Sequence, residues 1–281
     1  MGLYAGISAD EFVPDLGSVV SKEQGVAITL RIFGLEQYAQ NIDEGTVISA
    51  LSTFSDQDMI SGWARGYVAT GVIMGFVNGN PDGSFEPQKS MDARMIAKLV
   101  LVGAGYTVNS DNYQFCPYLL RDYGALTLEQ ALYFKSKSYM IRDDLAGMIF
   151  NSLKLKYTGT TLSIIGNLVQ ASAVSEQLAL NSGSYSDEII AKASNAVAAY
   201  EAAPYSTQAQ VAAGVSLKLA AESFIAKFAS FPNATSTSIL TIRNNLLSRI
   251  AAQAAKIAKV ATFAAITAGI YVSCGNTAGS I

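Results

Sequence analysis

The chain has no histidine and only two cysteines, Cys116 and Cys274, which removes much of the chemistry open to a protein of its size. A Ser-His-Asp or Cys-His nucleophile needs an imidazole to take its proton, and a histidine-ligated metal needs the same ring. The cysteines stand far apart with no CxxC spacing, so they read as isolated buried thiols and not as a zinc motif or a disulfide framework. Asp56 and Asp58 could pass for a carboxylate pair, but no second acid of matching context supports hydrolysis, and a helix cap explains Asp56 better. Phosphate-loop, dinucleotide and nucleophile-elbow patterns are absent. The expectation is a chain that is not an enzyme and carries no cofactor.

Two further groupings have a chemical reading. Asn78-x-Asn80-x-Asp82-Gly83-Ser84-x-Glu86 places oxygen side chains at alternate positions with glycine sixth, like the start of a calcium loop. Its twelfth position is Lys89, a cation where a bidentate glutamate is required, so the residues read as a turn and no metal is expected. Trp63 and Tyr67, one helical turn apart, could stack on sugar rings; on an amphipathic helix the spacing reads first as core, with Trp63 kept as the aromatic binding candidate.

These residues belong to a unit that runs from Phe54 to Tyr106. Trp63, Tyr67, Val68 and Gly71 fall at helical spacing, and Ala97, Val100 and Leu101 make a second apolar stripe, so two helices flank one tight loop. Within the loop Pro81 presets a turn, while Gly79 and Gly83 supply positive φ at little cost. One such unit has too little apolar surface to stand alone.

The unit's order is Phe54-Ser55-Asp56, then Trp63-Ala64 and Tyr67-Val68, then Asn78-Gly79-Asn80-Pro81-Asp82-Gly83-Ser84-Phe85-Glu86-Pro87, then the apolar run Met91 to Val102. It resembles an S-layer-homology repeat. With that template, Gly2-Leu3-Tyr4 to Phe12-Val13-Pro14 and the helix after Ser21-Lys22-Glu23-Gln24 look like the second half of a first repeat, ending near Gly34-Leu35. A third copy traces from Tyr113 through Tyr123-Gly124 to Met140-Ile141-Arg142-Asp143-Asp144 and Leu153, without the glycine-rich loop. The repeats span about 1–35, 54–106 and 113–157. The resemblance implies a mainly α, pseudo-threefold module in which the helices beginning near Ser21, Asp92 and Arg142 are related by rotation.

The resemblance also implies a ligand, an acidic pyruvylated secondary cell-wall polysaccharide held in grooves between repeats. In the family the second helix of a repeat opens with Thr-Arg-Ala-Glu, whose guanidinium can hold a carboxylate through two parallel hydrogen bonds. By position the motif becomes Ser21-Lys22-Glu23-Gln24, Asp92-Ala93-Arg94-Met95 and Ile141-Arg142-Asp143-Asp144. Arg142 matches, Lys22 keeps the charge without the fork, and Arg94 is displaced by one residue, about 100° around the helix. Asp92, Asp143 and Asp144 would repel an anion from those first turns and serve better as caps, although a helix N-terminus favours one. The candidate binding residues are Arg142, Lys22, Arg94 and Trp63.

From about Thr158 the composition shifts to Ala, Ser, Thr, Leu and Ile. Residues 1–157 hold 12 basic and 17 acidic side chains, while 158–281 hold 7 and 5. Helices are expected over Thr161–Leu180, Asp187–Ala203, Thr207–Phe228 and Thr237–Cys274, with Ser186 as an N-cap, making residues 158–281 an Ala-rich helical assembly domain. On the long last helix Ile239, Ile242, Leu246, Ile250, Ile257 and Val260 form one stripe, with Arg249, Lys256 and Lys259 roughly opposite. After Glu222 no acid occurs, but five cations over so long a stretch read as a solvated face, and no nucleic acid is expected. Beyond Lys259 the helix is apolar all round yet shorter than the roughly twenty residues a membrane span needs, so burial in a core or a homo-oligomer is expected.

With 50% hydrophobic and 15% charged residues, the chain has an unusually association-prone composition. Met1 to Phe12 lacks the basic and apolar regions of a signal peptide, and Gly6 stands where myristoylation needs Ser or Thr. The expected setting is a cell envelope or surface; the alternative is a virion or other particle component that uses the same fold as scaffold.

Overall fold

The computed structural model describes residues 15–275, with side chains described for 15–259. The stretch Gly2 to Pro14 and the side chains from Val260 onward, including Cys274, lie outside the described residues. The described chain is mainly α, with no sheet and three isolated β-bridges. It divides into two compact units, 1–179 and 180–281.

The first unit is organised by three helices of 11 residues, α1 (Lys22–Ile32), α5 (Ala93–Gly103) and α8 (Arg142–Ser152). Ser21 and Gln24 form a capping box on α1, and the Asp92 carboxylate accepts from Met95 N–H at 3.0 Å to cap α5. At α8, Asp144 accepts from Ile141 N–H at 3.4 Å. Each helix is preceded by one buried residue, Val20, Met91 and Met140, whose backbone groups must find partners away from water. They find one another: Val20 N–H donates to Met140 C=O (2.9 Å), Met140 N–H to Met91 C=O (2.8 Å) and Met91 N–H to Val20 C=O (2.9 Å). The three bonds close a ring, below which Leu30, Ile96, Val100, Leu145 and Met148 are fully buried.

Two helices not expected from the sequence, α2 (Glu36–Asn41) and α3 (Glu44–Leu51), pack on α4 (Arg65–Ile73). Gly66 is required there, because a Cβ would lie 2.2 Å from the Ala39 carbonyl oxygen. Trp63 departs from the expected core. It sits in a 3-10 turn, Gly62–Ala64, that precedes α4 and changes the helical phase, so Tyr67 is buried while Trp63 is 53% exposed.

The remaining helices of this unit are α6 (Cys116–Asp122), α7 (Leu128–Lys135) and α9 (Ile164–Gln170), with α10 (Glu176–Asn181) at the division. The single helix expected over Thr161–Leu180 is thus two, broken where Ser172 takes φ +57°. The division also falls beyond the compositional change near Tyr157. Backbone bonds such as Thr158 N–H to Ala104 C=O and Ile164 N–H to Leu155 C=O, both 2.9 Å, tie the intervening segment to the first unit.

In the second unit, α11 (Ser186–Ala202), α12 (Gln208–Ala226) and α13 (Thr237–Gly275) pack pairwise. Ile239, Leu246 and Ile250 of the expected stripe are buried, and Arg249 grips Glu201 through bonds of 2.9 and 2.6 Å. Ser186 is not the cap of α11. Tyr185 occupies that position, and the Ser186 hydroxyl is buried without a hydrogen-bond partner.

Candidate functional site

A cavity of about 540 Å³ lies where the start of α1 meets the loop 76–81, the face of α5 and the segment 108–113. Its size falls in the range of small-molecule sites, about 300–1,000 Å³. Apolar wall comes from Val26, Val77, Met91 and Leu99 among others, and the polar lining residues are Lys22, Lys98, Asn78, Asn80, Asn109, Ser110 and Tyr113.

The loop that closes one side is rigid for reasons visible residue by residue. Gly79 and Gly83 take φ +72° and +82°, as the turn requires. Asn80 donates to the Ser84 hydroxyl (2.9 Å) and to Glu86 (2.8 Å), while Asp82 accepts from the Ser84 N–H (2.9 Å) and hydroxyl (2.7 Å). Those oxygens are spent within the turn, and no cluster of three or more acidic, histidine or cysteine ligands occurs among the described residues. Asp56 stands at the N-cap position of the 3-10 turn Gln57–Met59, but its side chain makes no capping bond there. Its two oxygens accept the N–H groups of Phe85 and Glu86, each at 2.7 Å, and so tether the loop to the start of the same repeat. The buried Glu23 ties α1 to this repeat as well, accepting from Ser61 N–H (3.0 Å), the Ser61 hydroxyl (2.7 Å) and Gln88 (2.9 Å).

Lys22 opens α1 and reaches over the Phe85 ring, 4.8 Å from its centroid, to within 3.5 Å of Asn80 Oδ1. Burial pushes its pKa below the ordinary lysine value; Lys89 and Lys98 act the same way, and Glu86 and Asp56 oppose them. Lys98 projects from the second turn of α5. Burial lowers its pKa too, against a small opposing effect of Cys116. Among the described residues Lys98 has no hydrogen bond or ion pair. Tyr113 completes this side, its phenol pushed up to about 12 by burial and then by Asp92.

Of the four residues singled out by sequence, the structure puts only Lys22 on this cavity. Arg94 is one turn away from Lys98 but turned aside, paired with Asp92 and Gln114 and packed 5.7 Å from the Tyr113 ring centroid. Arg142 is half-buried at the start of α8, and Trp63 stands against Tyr67 with ring centroids 6.3 Å apart. The helix N-termini are also less open to an anion than expected. The first amides of α1 donate to Lys89 C=O (2.8 Å) and Pro87 C=O (3.1 Å), and those of α8 to Ser18 C=O (2.9 Å) and Leu16 C=O (3.0 Å). The sequence reading missed Lys98, although one signal was present: a lysine inside the apolar run Met91 to Val102. Cys116, near the same helix, is a buried thiol whose pKa is pushed up to about 12 by burial, which leaves it protonated and inert at neutral pH.

The family model of the S-layer homology domain matches residues 53–92. Those residues are therefore similar to an S-layer homology domain. The matched stretch holds the Asp56 tether, α4, the rigid loop and the cap of α5, hence the cavity's loop wall but neither of its lysines. An S-layer homology domain is a binding module of cell surfaces and cell walls, so the chain is associated with attachment to such a surface and not with catalysis by this domain. Searches of curated proteins and of solved structures return no match. Among the described residues no helix is long and apolar enough to cross a membrane.

Proposed function

We propose that the chain is a non-enzymatic surface protein whose first 157 residues hold three S-layer homology repeats and attach to an acidic, pyruvylated secondary cell-wall polysaccharide, while residues 158–281 serve self-association. The observation that carries the proposal is the half-buried ammonium of Lys22, at the cation position of the family motif, on a cavity built between α1 and the matched repeat. The closed backbone ring at Val20, Met91 and Met140, with one equal-length helix after each, supports reading the flanking segments as repeats. Polymer contact is placed at Lys22, with Arg142 as the cation of a second groove; Arg94 and Trp63 are set aside because one is paired and the other lies off the cavity.

The full chain should co-sediment with wall sacculi carrying the pyruvylated polymer and remain in solution with sacculi stripped of pyruvate by mild acid. Failure to pellet with either preparation overturns wall attachment and favours the particle-scaffold reading, for which the paired Arg94 and the occupied amides of α1 and α8 already speak. Equal pelleting with both overturns the acidic ligand.

A further inference from the structure

We propose that Lys98, together with Lys22, forms a two-ammonium site that binds the carboxylate of an acidic sugar within the cavity between α1 and α5; the sugar part of this assignment rests on the wall-polymer reading above. Lys98 lies outside the matched stretch and outside the four-residue motif that opens α5, so the assignment comes from its surroundings.

A half-buried ammonium normally has a carboxylate, a ring of carbonyls or bulk water to replace its lost hydration. Among the described residues Lys98 has no such partner, and burial lowers its pKa. Lys22 faces the same space and feels the Lys98 charge as repulsion; its one hydrogen bond inside the cavity, to Asn80, is long at 3.5 Å. The acids near Lys22 offset part of its burial without pairing with it. Glu86 is engaged by Lys89 (2.7 Å) and Asn80 (2.8 Å), and Asp56 by two backbone amides. Two like charges lining one cavity without an ion pair to either create an attractive potential for an anion that the surrounding apolar wall strengthens. Asn78, Ser110 and Tyr113 line the same space, offering the neutral donors and acceptors and the aromatic surface that suit a hydroxylated ring. A carboxylate can accept from two ammoniums as separate point donors, which need no planar fork.

The test uses the full chain, the variants Lys98→Met and Lys98→Arg, and three probes followed by NMR titration: glucuronate, methyl glucoside and inorganic phosphate. Glucuronate is expected to bind and methyl glucoside not to. Lys98→Met should weaken glucuronate binding about tenfold or more, the loss expected for one charge-assisted hydrogen bond, and Lys98→Arg should retain part of it. The same Lys98→Met change should raise Tm, because it removes an unpaired buried charge; loss of binding with a gain in Tm separates a ligand lysine from a merely structural one. Glucuronate binding by Lys98→Met at wild-type strength overturns the assignment, and tighter binding of phosphate than of glucuronate overturns the carboxylate. A chain that binds glucuronate through Lys98 yet fails to pellet with pyruvylated sacculi keeps the site and overturns wall attachment alone.

Discussion

Arg94 and Lys98 stand one helical turn apart on α5, and their situations are opposite. Arg94 carries the better anion-binding group, a planar fork of donors, but Asp92 and Gln114 already occupy it, and pairing with Asp92 raises its pKa against the opposing effect of burial. Lys98 has only a point charge, yet no described residue pairs with it. The contrast teaches that a cation's readiness to bind depends on the acids within its reach more than on its chemical type or its closeness to a motif. A displaced arginine next to a capping aspartate becomes part of the scaffold.

The comparison breaks most sharply if the aspartate is removed. Asp92→Ala deletes both the cap of α5 and the partner of Arg94, and should destabilise the first unit by about 2 kcal/mol, measured by urea unfolding. The guanidinium, left with Gln114 alone, then resembles Lys98 in lacking an acidic partner, so glucuronate binding should hold or improve despite the lost stability. A variant that loses binding in proportion to stability would show that the two cations are not distinguished by pairing.

A smaller effect tests the other half. The folded-state pKa of Lys98 lies below its unfolded value. As pH rises through that lowered pKa toward the ordinary lysine range, the unfolded chain therefore holds more protons at this site than the folded one, and the site's contribution to stability rises with pH. Lys98→Met should remove that rise. Because Lys22 shifts in the same direction while Lys137 and Lys192 shift upward and act oppositely, the quantity to measure is the difference between wild type and variant across alkaline unfolding curves. A difference that does not change with pH would mean that Lys98 is fully hydrated.

The smallest change is expected from Arg94→Ala. The pair with Asp92 is partly exposed, and its loss should cost about 0.5–1 kcal/mol with glucuronate affinity unchanged. A tenfold loss of affinity would move the site from Lys98 to Arg94.

Much of the first unit was legible in the sequence because its information is local. The Ser21-Gln24 capping box and the apolar runs after Ser21, Asp92 and Ile141 announce three helices, and Gly79 and Gly83 announce the turn whose positive φ values they take. Other features depend on distance in space and left little trace. The Asp56 tether joins a carboxylate to amides near the far end of its repeat, so the residue looked like an ordinary cap. Trp63 was misplaced because a 3-10 turn has three residues per turn where the α pattern assumes 3.6. Helices α2 and α3, of six and eight residues, are too short to set a helical period. As for the candidate site, the motif pointed to the helix openings, where Lys22 is found, but an unpaired charge can be recognised only once the neighbours that fail to pair with it are known.

The ring formed by Val20, Met91 and Met140 has a bearing on how such a chain can change and how it must fold. Its bonds are made entirely by main chain, so mutation of the surrounding side chains, up to loss of a whole loop signature after Tyr113, leaves it available. Sequence drift is therefore cheap as long as the three positions stay apolar. Deleting one of the three segments is a different matter: the two that remain would each bury a donor or an acceptor with no counterpart. Assembly of the ring also brings together residues far apart in the chain, a high-contact-order step that slows folding and leaves little room for a stable product with only two segments in place. The three-segment unit can wander in sequence but cannot be shortened without opening its ring.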